Sequence, residues 1–228
     1  ATHSSVAQAA TASAVLHFLA ITTLTLSFAA SSGCHLNPLI TLATALTGHV
    51  KPVRAVAYVV LQLLGGIAGA AIVLVVLGEE AVAVSGCHVN SMPWFGALFL
   101  EAFFSAVLLS VVYGAALDVR SRPVYGPILP VVLISLAYAA QVWLTFGGFA
   151  VKATEEPPLP LSLSGGLSAG FTGSSLSNPA LCLGPAAVTA TFVETDWIWY
   201  VAPLVVACGH ALLYWMAPPH DAAFFEVE

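Results

Sequence analysis

Long apolar stretches alternate with short polar breaks along this chain. The apolar runs cover about 6–30, 53–77, 94–117, 127–150 and 197–217. Each reaches the roughly 20 residues that a helix needs to cross a ~30 Å hydrocarbon core. Two further runs, 37–46 and 178–190, are too short to cross. Ten helical residues rise roughly 15 Å, about half of the core. The pattern therefore predicts five spanning helices and two re-entrant half-helices. Non-helical backbone leading into such half-helices is tolerable only where it is buried or lines a watery cavity.

Composition agrees with that reading. The 228 residues are 59% hydrophobic and 7% charged, against roughly 25% charged in a soluble domain. The mean hydropathy is +0.96. The expectation is an all-α, multi-pass membrane protein forming a single domain over residues 1–228. The net charge of −6 and the lack of a basic run argue against a nucleic-acid partner. The four cysteines have no metal-ligand spacing. Cys34 and Cys182 adjoin the half-helices, and Cys87 lies in a loop. Cys208 lies in an apolar helix and reads as a free thiol packed like a small hydrophobe. No nucleophile–base pair, phosphate loop or metal cluster stands out, so neither enzyme chemistry nor a cofactor is expected.

Charge orients the chain. Lys51 and Arg54 follow the first half-helix, and Arg120 and Arg122 separate the third and fourth spans. All four fall on one side, which the positive-inside rule makes cytosolic. Glu79, Glu80, Glu155, Glu156, Glu194 and Asp196 fall on the other, with Lys152. Segment 151–170, rich in Pro, Ser and Gly, reads as an extended non-cytosolic loop. It is either a cover over an outer vestibule or a tolerated surface insertion.

Each half-helix opens on Asn-Pro. The first reads Ser32-Gly33-Cys34-His35-Leu36-Asn37-Pro38-Leu39, the second Ser174-Ser175-Leu176-Ser177-Asn178-Pro179-Ala180. Asn is a favoured N-cap and Pro a favoured first helical residue. Two helices starting inside a membrane place two positive dipole ends and two amides near its midplane. That layout suits a pore that conducts neutral molecules and repels cations.

These motifs resemble those of the aquaporin, or major intrinsic protein, family, where both usually read Asn-Pro-Ala. The second conforms here; the first is Asn-Pro-Leu. Gln62-Leu63-Leu64-Gly65 with Gly69 is similar to the family's third-helix packing motif. Leu100-Glu101-Ala102-Phe103 resembles the start of its fourth helix, and Trp197-Ile198-Trp199-Tyr200-Val201-Ala202-Pro203 its sixth. The resemblance implies an aquaporin-like bundle of inverted repeats. It also implies a further spanning helix ahead of Ala1, four chains per assembly and one pore in each chain.

The family also assigns roles. Asn37, Pro38 and Leu39 with Asn178, Pro179 and Ala180 would form the pore centre. Each Asn would keep one amide hydrogen free for the lumen. His17, Ser175 and Leu181 would form the outer constriction, with Ser174 as an alternative to Ser175. A fifth-helix member would lie between Ala140 and Leu144. Leu181 stands where the family usually has Arg, and the Asp that follows that Arg in glycerol facilitators is Cys182 here. His35 would sit at the cytosolic mouth, as a gate or as a loop anchor. Intramembrane carboxylates mark ion or proton paths by default. The family reading of Glu101 is instead a scaffold group for the second re-entrant loop, joined by Gly65, Gly184 and Pro185. His210 reads as an interior histidine with no pore role.

The implied function is a passive channel for water. A widened, less polar constriction extends that to glycerol, urea, ammonia or hydrogen peroxide. A secondary transporter and a structural junction protein are the alternatives from other classes. The resident membrane is either the plasma membrane or that of an organelle.

Overall fold

The computed structural model describes residues 3–79, 81–82, 86–89, 92–118, 121–145, 171–172 and 176–217. Its long helices are α1 (His3–Ser32), α3 (Pro52–Leu77), α4 (Trp94–Val111), α6 (Leu129–Trp143) and α8 (Ile198–Met216). Two short helices, α2 (Pro38–Leu46) and α7 (Pro179–Thr189), follow the two Asn-Pro motifs. A four-residue helix, α5 (Arg122–Tyr125), precedes α6. Strands β1 (His88–Val89) and β2 (Phe171–Thr172) pair antiparallel, with His88 opposite Thr172. The expected loop 151–170 lies outside the described residues.

Among the described residues, four stretches are long and apolar enough to cross a membrane: Gln8–Ser32, Pro52–Leu77, Trp94–Leu117 and Ile198–Met216. The fourth expected span, 127–150, is described as far as Thr145. Its α-helix covers Leu129–Trp143, and everything beyond Thr145 falls outside the described residues. Gly126 at φ 59° turns the chain just before this helix, and Pro130 sits in its first turn. That turn delays the start past residue 127.

Hydrophobicity here matches lipid more than a protein core. The α3 stretch has mean hydropathy 2.5, yet only 6% of it is buried in the chain. Trp94 and Trp197 stack near each other at the starts of α4 and α8, with ring centroids 5.8 Å apart. Both are substantially exposed, as expected of aromatic residues at a membrane interface. The buried core sits inside the bundle, where Leu39 and Ala43 of α2 meet Leu108 and Leu109 of α4, Tyr138 and Val142 of α6, and Ala207 of α8.

The tightest crossing joins α3 to α7. A Cβ on Gly66 would fall on the Ala180 carbonyl oxygen, and one on Gly184 would fall on the Gly66 carbonyl oxygen. Small residues let helix backbones approach in this way. Gly65 is corrected: it faces open space within the chain, and its neighbour Gly66 makes the contact. Pro185 lies buried inside α7, and its carbonyl accepts from Thr189 Oγ1 at 2.8 Å.

A disulfide joins Cys87 to Cys182, with Cα atoms 5.2 Å apart and a sequence separation of 95. It ties the α3–α4 connection to α7, within a buried cluster of Ala97, Ile198 and Trp199. Closing so long a loop contributes about 4–5 kcal/mol in the chain-entropy account. Cys34 and Cys208 remain free thiols. Cys208 is exposed on α8 and not packed inside, which corrects the expectation for it.

Candidate functional site

Asn37 and Asn178 cap α2 and α7 as their sequence context predicts. Both backbones are extended, at φ −142° and −130°. Asn37 Oδ1 accepts from the Leu39 amide at 2.8 Å, and Asn178 Oδ1 from the Ala180 amide at 3.2 Å. Each side chain then reaches across to the other motif. Asn37 Nδ2 donates to the Ser177 carbonyl at 2.8 Å, and Asn178 Nδ2 to the Leu36 carbonyl at 3.0 Å. Each amide thus binds the carbonyl just before the other Asn. The two helix N-termini meet at one point, with Pro38, Leu39, Pro179 and Ala180 buried around it. Their dipoles place positive potential there.

The two Asn are not equivalent. The second hydrogen of Asn37 Nδ2 goes to Tyr138 Oη at 2.6 Å. Asn37 is 0% exposed and both its amide hydrogens are engaged. The expectation of one free donor on each Asn is therefore wrong for Asn37. Asn178 Nδ2 has one acceptor among the described residues, the Leu36 carbonyl. Tyr138 carries no motif that sequence reasoning could have used.

The backbone before Asn178 is held in an unfavourable conformation. Leu176 and Ser177 have φ 50° and 58°, which costs non-glycine residues of order 1–3 kcal/mol each. Their supports are buried polar groups. Glu101 Oε1 accepts from the Ser177 amide at 2.9 Å. Ser177 Oγ donates to Gln141 Oε1 at 3.1 Å, and Gln141 Nε2 donates to the Phe104 carbonyl at 3.3 Å. Glu101 therefore sits where a scaffold group would, against the second re-entrant loop. Gln141 falls in the 140–144 bracket expected for the constriction but is committed to Ser177.

A cavity of about 480 Å³ runs from the Lys51 side of the bundle to Asn37 and Tyr138. His35 lines it, half-buried, with Nδ1 3.3 Å from Thr41 Oγ1 and its ring edge-on to Tyr58. Gln62 Nε2 donates to the His35 carbonyl and to Thr41 Oγ1. These contacts anchor the loop. Burial lowers the His35 pKa below its ordinary value, and the nearby Arg54 charge adds to this. The last turns of α4, Val112–Leu117, widen to π geometry, and Val112, Ala115, Ala116 and Leu117 line the same cavity. Such widenings are frequent at functional sites.

Of the residues expected at an outer constriction, His17 and Leu181 are described. His17 is half-buried on α1, with Nδ1 3.0 Å from the Ser13 carbonyl of its own helix. Leu181 is 39% exposed on α7. No hydrogen bond among the described residues joins the two, and Ser175 and Ser174 lie outside the described residues. His210 is half-buried against Tyr113, with ring centroids 4.3 Å apart, so it packs in the bundle as expected.

This pairing of half-helices is accompanied by direct sequence similarity. The family profile described as Major intrinsic protein matches residues 1–153. Aquaporin-5 of Sus scrofa is 32% identical over 200 residues, covering 86% of this chain and 64% of that protein. Probable aquaporin TIP1-2 of Oryza sativa subsp. japonica is 30% identical over 203 residues, covering 89% of this chain and 69% of its own length. Aquaporin-2 of Rattus norvegicus is 32% identical over 186 residues, covering 80% and 58%. The chain belongs to the major intrinsic protein family, as an all-α, multi-pass integral membrane protein. It spans about 64% of the length of the first of these relatives.

Proposed function

We propose that this chain forms a passive pore for water and small neutral solutes. The observation that carries the reading is the reciprocal pair of Asn-to-carbonyl bonds that joins the two half-helix N-termini. Positive ends meeting at one point oppose cations, while the second Asn178 amide hydrogen, which has no acceptor among the described residues, offers a donor to a neutral solute. The Lys51 and Arg54 face is the cytosolic one. The Cys87–Cys182 bond supports this independently, because it lies on the opposite face, and disulfides persist in oxidising compartments. Four chains, each with its own pore, are the favoured assembly. Gly69 is exposed and open, free to meet a neighbouring copy. Native mass spectrometry that finds only monomer would count against it.

The test is stopped-flow light scattering on proteoliposomes. Asn178→Asp replaces the donor by a carboxylate and partly cancels the dipole barrier. Water permeability is expected to fall about tenfold, equivalent to roughly 1.4 kcal/mol on the barrier, and cation exclusion to weaken. A folded Asn178→Asp protein that conducts as the parent does would remove Asn178 from the pore.

Leu181 in place of the family's usual Arg leaves a constriction that discriminates by size and polarity more than by charge. Leu181→Arg adds a fixed charge and up to five donors. The glycerol-to-water permeability ratio is expected to drop about tenfold, with water passage less affected. An unchanged ratio in a well-folded variant would put Leu181 outside the lumen.

A further inference from the structure

We propose that Tyr138, in place of Asn37, presents the polar contact to the solute on the cytosolic side of the pore centre, and that its ring sets the aperture there. The inference rests on the pore reading above. Asn37 has nothing left to offer: Oδ1 is taken by the Leu39 amide, and the two Nδ2 hydrogens by Ser177 and Tyr138. It is 0% exposed. Tyr138 Oη accepts one of those hydrogens and keeps its own proton, for which the described residues supply no acceptor.

Position favours the hydroxyl as well. The cavity lining can be ordered helix by helix. Along α1 it runs from Gly33 at the mouth through Ala29 and Thr25 to Ile21; along α6 it runs from Pro130 through Ile134 to Tyr138. Tyr138 is the innermost α6 residue in the lining, level with Asn37. Two other polar groups on this wall, Thr44 and His35, are turned to their own backbone or loop, and Thr25 lies nearer the mouth. Thr44 Oγ1 donates to the Ile40 carbonyl at 2.7 Å, and His35 is held at Thr41. Around the inner end the lining is otherwise aliphatic, from Ile21, Ile40, Val112 and Ile134. At the inner end of the cavity a solute therefore meets the phenol.

The substitution changes the chemistry of the centre. An amide N–H only donates, whereas a hydroxyl both donates and accepts. The solute then contacts a Tyr138 hydroxyl on one side of the centre and the Asn178 amide on the other. The phenol is also far bulkier than the amide hydrogen it replaces, so width at this level depends on the ring.

Tyr138→Phe and Tyr138→Val separate the two parts. Phe keeps the ring and removes the hydroxyl. Water permeability per channel is expected to fall about fivefold, the loss of one hydrogen bond, because the freed Asn37 hydrogen stays beneath the ring. Val removes the ring, and the glycerol-to-water permeability ratio is expected to rise about tenfold. If Tyr138→Val does not fold, Tyr138→Leu replaces it in the ratio measurement. A conducting parent with an unchanged Tyr138→Phe overturns the hydroxyl contact alone. An unchanged ratio in the Val or Leu variant overturns the aperture. Parent and variants all at the permeability of empty liposomes overturn the pore reading and this inference together.

Discussion

A single methyl added at Gly66 is expected to abolish water flux. Gly66→Ala places a Cβ on the Ala180 carbonyl oxygen, a backbone atom that cannot swing aside. Either α3 or α7 must move. If α7 moves, it carries Asn178 away from the Leu36 carbonyl that it reaches at 3.0 Å. Overpacking of this kind typically costs about 1–3 kcal/mol, and here the displaced atoms belong to the proposed pore centre. Flux at the level of empty liposomes is expected, with a lowered melting temperature in detergent. Gly65→Ala is the matched comparison. Nothing lies within 4 Å of its Cβ position, and alanine is the better helix former by about 1 kcal/mol. That variant is expected to conduct like the parent and to melt no lower. Two alanine variants that behave alike would mean the crossing is not at Gly66.

The contrast between Gly65 and Gly66 also shows where sequence reading stops. A glycine-rich stretch in an apolar helix signals close packing, but each residue turns the helix face by about 100°. A pattern on a helix that faces lipid on most sides does not fix that rotation. What was legible was local or repeated. Apolar length gave the spans, and Asn-Pro after a polar lead-in gave both half-helix starts, at Pro38 and Pro179. The scaffold reading of Glu101 came from the family resemblance and not from the carboxylate alone, whose default reading in an apolar helix is an ion or proton path. Tyr138 was not legible. It lies 101 residues from Asn37, and a tyrosine in an apolar helix resembles any core aromatic. The saturation of Asn37 follows from that one contact, so it was hidden with it. The Cys87–Cys182 bond was hidden for a similar reason: four cysteines allow three pairings and fewer bonds besides. The start of the fourth span, at Leu129 and not 127, was not legible because the positive φ of Gly126 turns the chain just before it.

Glu101→Ala is expected to release the start of α7 and close the pore. The Ser177 amide would lose its carboxylate acceptor in a fully buried site. An unsatisfied buried donor costs about 1–3 kcal/mol. The same loss removes a support from Leu176 and Ser177, which already hold left-handed backbone. Water flux near background and a lowered melting temperature are expected. Glu101→Gln decides what the carboxylate is for. Its side-chain carbonyl can still accept from the Ser177 amide, but it carries no charge and cannot cycle a proton. If Glu101 is a scaffold group, the Gln variant keeps water permeability within about twofold of the parent, a barrier change of only about 0.4 kcal/mol. Its flux stays indifferent to pH and to sodium. If Glu101 is an ion or proton site in a coupled transporter, the Gln variant folds normally and yet moves nothing, while parent flux follows the pH or sodium gradient. That second pattern would defeat the passive-channel reading, because a pore needs no ionisable group to cycle, and the dipole ends at Asn37 and Asn178 would then have to be explained as part of a transport site.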